Sequence, residues 1–151
     1  MPKKKAKRKT AKKKPLRLEW RTPAELEDNP ANWRRHPELQ SDALAGVIAD
    51  VGWAGAALYN EKTKRLIDGH ARKKVPASSL VDGRMPVLVG SWTAAEEKMI
   101  LATLDPLAAM AEADEEALGS LLAHLETEDE AIREMLDDLA VEHGIELYED
   151  D

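Results

Sequence analysis

Leu66-Ile67-Asp68-Gly69-His70-Ala71-Arg72 is the stretch around which the rest of the chain is organised. Two apolar residues run into a glycine, a histidine and an arginine follow at once, and Lys73 and Lys74 come next. The string predicts a short strand that turns straight into a helix. Such a turn leaves backbone N–H groups unpaired at the helix start, and with the helix dipole they favour an anion there. Gly69 allows the chain to come close to a ligand, and Arg72 adds a planar fork suited to phosphate. The same residues also fit a plain strand–helix joint with a solvated basic face, because short glycine turns are weak signals alone.

Working upstream, 55–59 and 65–67 read as strands and 60–64 as a polar turn, which together predict a hairpin. Before it, Pro37 opens a helix to about Val51, with Leu39, Ala43, Leu44, Val47, Ile48 and Val51 at helical spacing. Gly52 is placed to end it. Residues 29–37 carry two prolines and two asparagines and predict a loop. This dense polar loop holds Asn29, Arg34 and Arg35, and such loops often carry function; the plainer alternative is an arginine pair on a surface turn with Trp33 as a core plug. Residues 16–20 alternate as a first strand, and Pro23 begins a single helical turn.

Downstream, the helix after Gly69 is expected to reach about Val75. Asp82-Gly83 marks a turn and 85–89 a further strand, with Pro86 pointing to a strand start or an edge position. Thr93 and Glu96 form a capping-box pattern. Their helix places Met99, Ile100, Thr103 and Leu104 on one side, and Asp105-Pro106 is expected to interrupt it. Asp114 caps the next helix. Thr127 and Glu130 form a second capping-box pattern, before a stripe of Ile132, Met135, Leu136, Leu139 and Ala140 that Gly144 closes. The two C-terminal helices read as an antiparallel pair with leucine inside and acid outside.

Among 151 residues there is no cysteine, which excludes disulfides, thiolate metal sites and a cysteine nucleophile. His36, His70, His124 and His143 show no metal-ligand spacing, so no metal site is expected. No apolar run approaches the roughly 20 residues that span a membrane. The basic N-terminus lacks the apolar core of a secretory signal, and a cytoplasmic protein is expected. The net charge of −7 hides a strong asymmetry. Residues 1–17 hold ten Lys and Arg and no acid, 18–104 hold 11 basic and 12 acidic residues, and 105–151 hold one basic and 17 acidic. This divides the chain into a disordered basic tail (1–15), a folded domain (16–106), a helical extension (107–144) and an acidic tail (145–151). Lys3, Lys4, Lys5, Lys7, Arg8, Lys9, Lys12, Lys13 and Lys14 suit non-specific DNA contact through the tail. The acidic helices suit a basic protein partner or self-association, and equally a packed cap with a solvated acidic face.

The order of strand, Asn-Pro loop with arginines, helix ending in Gly, hairpin, Asp-Gly-His-x-Arg, strand and helix resembles the ParB/sulfiredoxin-like N-terminal domain, also called the ParB-like nuclease domain. The resemblance covers about residues 16–106. Asn29-Pro30 with Arg34 and Arg35 is similar to that family's Asn-Pro…Arg element, Gly52 and the following strand to its first nucleotide motif, and 68–72 to its phosphate motif. The N-terminal and central text, together with residues 101–106, resembles a phage and bacterial subgroup whose members occur alone or ahead of DNA methyltransferases. The departures are definite. His70 occupies the sulfiredoxin nucleophile position, Ala71 replaces the first of two paired arginines, and Gly55-Ala56 replaces a Pro-apolar pair.

The resemblance implies an α/β (α+β) fold, a small mixed-sheet domain followed by the acidic helical pair. It implies a nucleoside triphosphate, CTP or ATP, with Mg²⁺, and action on DNA. The expected phosphate-binding set is Gly69, His70, Arg72, Arg34, Arg35 and Asn29. Three functions stay open: a nucleotide- or phosphate-binding module of phage or plasmid DNA metabolism, accessory to a methyltransferase; a metal-dependent DNase using Asp68 and His70; and a non-enzymatic adaptor. An enzyme here is a nucleoside triphosphatase or a nuclease. If the lysine tail neutralises six phosphates of duplex DNA, log K against log salt falls with a slope of about −5. A salt titration of DNA affinity with and without residues 1–13 measures it, and an unchanged slope after truncation removes the tail from DNA binding.

Overall fold

The computed structural model describes residues 14–146. Expectations for Lys3 to Lys13 and for the last five residues lie outside them. Four strands form one mixed sheet: β1 (Arg17–Arg21), β2 (Ala57–Asn60), β3 (Arg65–Asp68) and β4 (Met85–Gly90). The order is β1-β4-β2-β3, with β4 antiparallel to β1 and parallel to β2, and with β2 and β3 forming the hairpin. Five α-helices complete the α/β architecture: α1 (Glu38–Val51), α2 (His70–Lys73), α3 (Ala94–Ala109), α4 (Glu115–Ala123) and α5 (Glu130–Glu142).

The core follows from the two-residue period of the strands. Met85, Val87 and Val89 of β4 face Ala57 and Tyr59 of β2 and Leu66 of β3, and Leu26 closes the cluster. Trp53 and Leu80 pack against it, and the Trp53 indole N–H donates to Ser79 O at 2.8 Å. The register places Arg17, Glu19 and Arg21 of β1 opposite Val89, Val87 and Met85, so charged side chains occupy the core side of this edge strand. Arg21 covers the Tyr59 ring at 4.8 Å, and Glu19 takes hydrogen bonds from both flanking arginines. The alternate residues Leu18 and Trp20 are consequently exposed.

Pro86 lies in an interior strand rather than at the sheet edge. Pairing to β2 begins one residue later, at Val87, so at Pro86 only β1 borders the strand. There the missing N–H removes no bond from the parallel ladder. Helix α3 likewise runs through Pro106 to Ala109. The proline sits in the last turn, where few hydrogen bonds remain to be broken, and the Asp105 carboxylate is held from outside the helix.

Asp129, not Thr127, caps α5: its Oδ1 accepts from Ile132 N at 2.9 Å. Thr127 Oγ1 accepts from Asp129 N at 3.1 Å and so supports the cap. The apolar stripe of α5 packs chiefly on α1 rather than on α4. This docking needs Gly46 of α1, because a Cβ there would lie 2.5 Å from Asp129 Oδ2. Gly46→Leu is expected to lift α5 from α1 and to cost about 2 kcal/mol, as overpacking does. Urea unfolding with hydrogen exchange of the α5 amides checks this, and an α5 as protected as in the unaltered chain would show that the contact is dispensable.

Candidate functional site

The site begins at Gly69. Its backbone is left-handed, with φ +97°, and a Cβ would sit 2.6 Å from Ala57 Cβ and 2.8 Å from Ala57 Cα. Only glycine therefore fits between β2 and the start of α2. Helix α2 is a single turn of four residues, so it offers little of the dipole expected of a longer helix. Side chains carry the chemistry instead.

Arg34 is the central side chain. Its Nε and Nη1 meet the Asp105 carboxylate at 2.7 and 2.9 Å, a two-pronged contact. Its Nη2 donates to Asp68 Oδ1 at 2.9 Å. That same Asp68 oxygen accepts from Gly69 N at 2.9 Å. Next to Arg34, the exposed Trp33 donates its indole N–H to Leu101 O at 2.9 Å. Trp33 is thus a clip on α3, not the core plug that its size suggests.

Arg72 is less committed than Arg34: among the described residues its guanidinium makes no hydrogen bond. Its nearest carboxylate oxygen is Asp68 Oδ2 at 4.0 Å, and its side chain is 31% exposed. The guanidinium lies over Gly55, where a Cβ would come within 3.2 Å of Nη2. Arg72, Asp68, Gly69 and Arg34 line a cavity of about 390 Å³. Ala43, Leu44 and Val47 of α1 form an apolar wall, and Met135 of α5 closes it.

A second cavity, of about 320 Å³, shares Arg34 and His36 with the first. Asn29, Arg35, His70 and Lys74 line it. His70 is buried, and its Nε2 accepts the Asn29 backbone N–H at 3.1 Å. Burial pushes the His70 pKa below its usual value, with nearby Arg34 and His36 acting the same way and Asp28 and Asp68 opposing. Asn29 Oδ1 accepts from Ala31 N at 3.0 Å. Asn29 Nδ2 and His70 Nδ1 are buried without a partner among the described residues. Each unpaired buried donor costs about 1–3 kcal/mol.

The expected phosphate set is therefore divided. Gly69, Arg72 and Arg34 line the larger cavity, whereas Asn29, His70, Arg35 and again Arg34 line the smaller. Asp68 and His70 are neighbours in sequence but engage different partners, Arg34 and the Asn29 backbone. Lys73 is tied to Asp28 at 3.1 Å. Lys14 lines a separate depression beside Arg17, Lys62 and Trp92.

Sequence reasoning missed Asp105, Met135 and Gln40, the last of which also lines the larger cavity. Asp105 was legible only as the residue before a proline, Met135 only as one member of an apolar stripe. It also missed the buried pair that orients α3. Asn60 Nδ2 donates to Trp92 O at 3.0 Å and to Glu97 Oε1 at 3.1 Å, and Thr63 Oγ1 also donates to Glu97. A buried asparagine and glutamate in an otherwise apolar and helical text carried no visible signal.

No family model matches the chain, and no curated protein matches it in sequence. Among solved structures, it is similar to the C-terminally truncated chromosome-partitioning protein ParB from Caulobacter crescentus, complexed with CTP-γ-S. The match covers 86% of this chain and 72% of that one, with a TM-score of 0.54 and 14% identity. The fold is ParB-like. At this identity the likeness is one of fold.

In this ParB-like fold Arg34 joins loop, sheet and α3, so its removal should be felt globally. Arg34→Ala is expected to lower stability by about 1–3 kcal/mol, less than for a fully buried pair because the three side chains stay a quarter to a third exposed. Arg34→Lys should recover little, since an ammonium cannot span two carboxylates with a rigid fork. Urea denaturation of the three proteins decides it, and full recovery with lysine would reduce Arg34 to a point charge.

Proposed function

We propose that this chain is a nucleotide- or phosphate-binding module of ParB-like fold that acts in association with DNA. The observation that carries the reading is the Arg72 guanidinium, which makes no hydrogen bond among the described residues, over a 390 Å³ cavity with one apolar wall. A nucleoside triphosphate matches that combination: the base suits the apolar side of α1 and Met135, and the phosphates suit Arg72. Binding of CTP-γ-S by the Caulobacter ParB supports a nucleotide of this class, CTP or ATP. Arg34 then acts as a positioning residue that aims the Asp68-Gly69 turn.

The proposed setting is cytoplasmic phage or plasmid DNA metabolism, alongside a DNA methyltransferase. It is supported by the resemblance of residues 101–106 and by a lysine tail suited to non-specific DNA contact. The acidic surfaces of α4 and α5 would face a protein partner, which also keeps the adaptor reading in play. Among the described residues no three His, Asp or Glu side chains are placed to hold a metal. Asp68 and Asp105 both face Arg34, so these residues do not fit a protein-held Mg²⁺. The nuclease reading has correspondingly less support, since no Asp68–His70 pair is assembled.

A thermal-shift panel with CTP, ATP, GTP and inorganic phosphate tests the proposal. A ligand at 100 times its Kd adds about 2.7 kcal/mol, which raises Tm by about 5–10 °C for a domain of this size. The shift should vanish in Arg72→Ala and persist in Lys73→Ala, whose lysine is paired with Asp28. Equal losses in both variants would sink the site, and no shift with any nucleotide would favour the adaptor.

A further inference from the structure

Strand β1 (Arg17–Arg21) is an end strand of the sheet. One edge pairs with β4, and the other carries no backbone hydrogen bond among the described residues. An open edge is a template for a further strand, and proteins usually blunt it with charge. Here the charge alternates with apolar side chains. Leu16, Leu18 and Trp20 share one face, and they stay 47%, 59% and 42% exposed. Arg17, Glu19 and Arg21 share the other face, tied to one another and to Glu61, with Arg21 over the Tyr59 ring.

This alternation is self-complementary. In an antiparallel pair, residues directly opposite each other lie on the same face and interact. When two copies of β1 run antiparallel about Leu18, that residue meets the partner's Leu18. Leu16 then meets the partner's Trp20, Arg17 meets the partner's Glu19, and the two-fold axis repeats both contacts. Moving the axis to Glu19 sets arginine against arginine and glutamate against glutamate, which is repulsive. Moving it to Trp20 sets Leu18 against the partner's Thr22, and Leu16 falls opposite a chain that has already turned into the short helix Pro23–Glu25.

We propose that β1 is a docking edge for a second copy of this chain, joined antiparallel about Leu18 so that two four-stranded sheets become one. Backbone bonds along the open edge hold the pair. The Leu16, Leu18 and Trp20 stripes supply the apolar contact, and the Arg17–Glu19 contacts set the register. The two chains enter the ladder at opposite ends, roughly 17 Å apart for five pairs at about 3.4 Å each. That is about two screening lengths at physiological salt, so the basic N-terminal segments oppose the pairing little. The contact is smaller than the roughly 1,600 Å² of a standard interface, and a dimer that dissociates on dilution is expected. None of the β1 residues lines the nucleotide cavity, so the inference does not rest on nucleotide binding.

Sedimentation velocity of the full chain over a concentration series tests the proposal. A monomer–dimer equilibrium is expected, with a Kd between about 1 μM and 1 mM. Leu18→Lys, at an exposed position, should weaken the dimer about tenfold or more, because two ammonium groups then meet at the axis. The chain contains no cysteine, so single cysteine substitutions report the register. Leu18→Cys should give a disulfide-linked dimer on oxidation, since Cα atoms directly opposite lie about 4.5–5.5 Å apart. Trp20→Cys should not, because its two copies stand too far apart along the ladder for a disulfide. If Leu18→Lys loses the native circular dichroism spectrum, the cysteine variants alone decide. Removal of residues 1–13 should leave the dimer intact. A monomer throughout the series, a dimer indifferent to a folded Leu18→Lys, or cross-linking of Trp20→Cys in preference to Leu18→Cys overturns the edge pairing. A dimer that disappears with residues 1–13 belongs to the basic tail and overturns it as well.

Discussion

One guanidinium holds three distant parts of this chain together. Arg34 belongs to the loop before α1, Asp68 ends β3, and Asp105 lies near the end of α3. A planar fork can meet one carboxylate with two nitrogens and still present a third to another. Because the carboxylates come from different elements, the contact fixes their separation as well as their charge. Trp33 adds a second tie to the same helix through Leu101 O. The loop is therefore anchored on both sides although it has no regular secondary structure.

That anchoring decides which cations are available. Arg34 has the most conspicuous place in the sequence, beside Arg35 in an Asn-Pro loop, yet its hydrogen bonds are already spent on protein. Arg72 follows the glycine turn and stays 4.0 Å from Asp68 Oδ2, while the other oxygen of that carboxylate is held by Arg34. The same division leaves two cavities that share Arg34, one with an apolar wall and one polar and basic. Helix α5 matters to the first of these, since Met135 supplies part of its lining. Helix α5 thus contributes to the site's shape, not only to the acidic surface.

Asp105 reaches Arg34 because α3 is aimed at its other end. Asn60 satisfies both of its amide hydrogens and both lone pairs: it donates to Trp92 O and Glu97, and accepts from Lys62 N and Trp92 N. A buried polar group that finds every partner imposes one orientation, and here it joins the hairpin turn to the first turn of α3. The Thr93–Glu96 capping box completes the helix start.

Features set by neighbouring residues were legible from the amino-acid order. The β2–β3 hairpin, the Gly69 turn, the stop at Gly52 and the caps at Thr93 and Asp114 all depend on backbone torsions and bonds spanning a few positions. So does the alternation that buries Met85, Val87 and Val89. Other features depend on contacts between residues tens of positions apart. The continuation of α3 through Pro106 accompanies the hold on Asp105. The exposure of Trp33 follows from a bond to α3, and the docking of α5 onto α1 needs the space above Gly46. The commitment of Arg34 to two carboxylates and the burial of the Asn29–His70 contact are of the same kind. Sequence by itself determined which elements form and which residue types could meet an anion. Only the tertiary structure decided which of those residues remain unpaired, because a hydrogen bond or ion pair consumed within the fold is no longer open to a ligand.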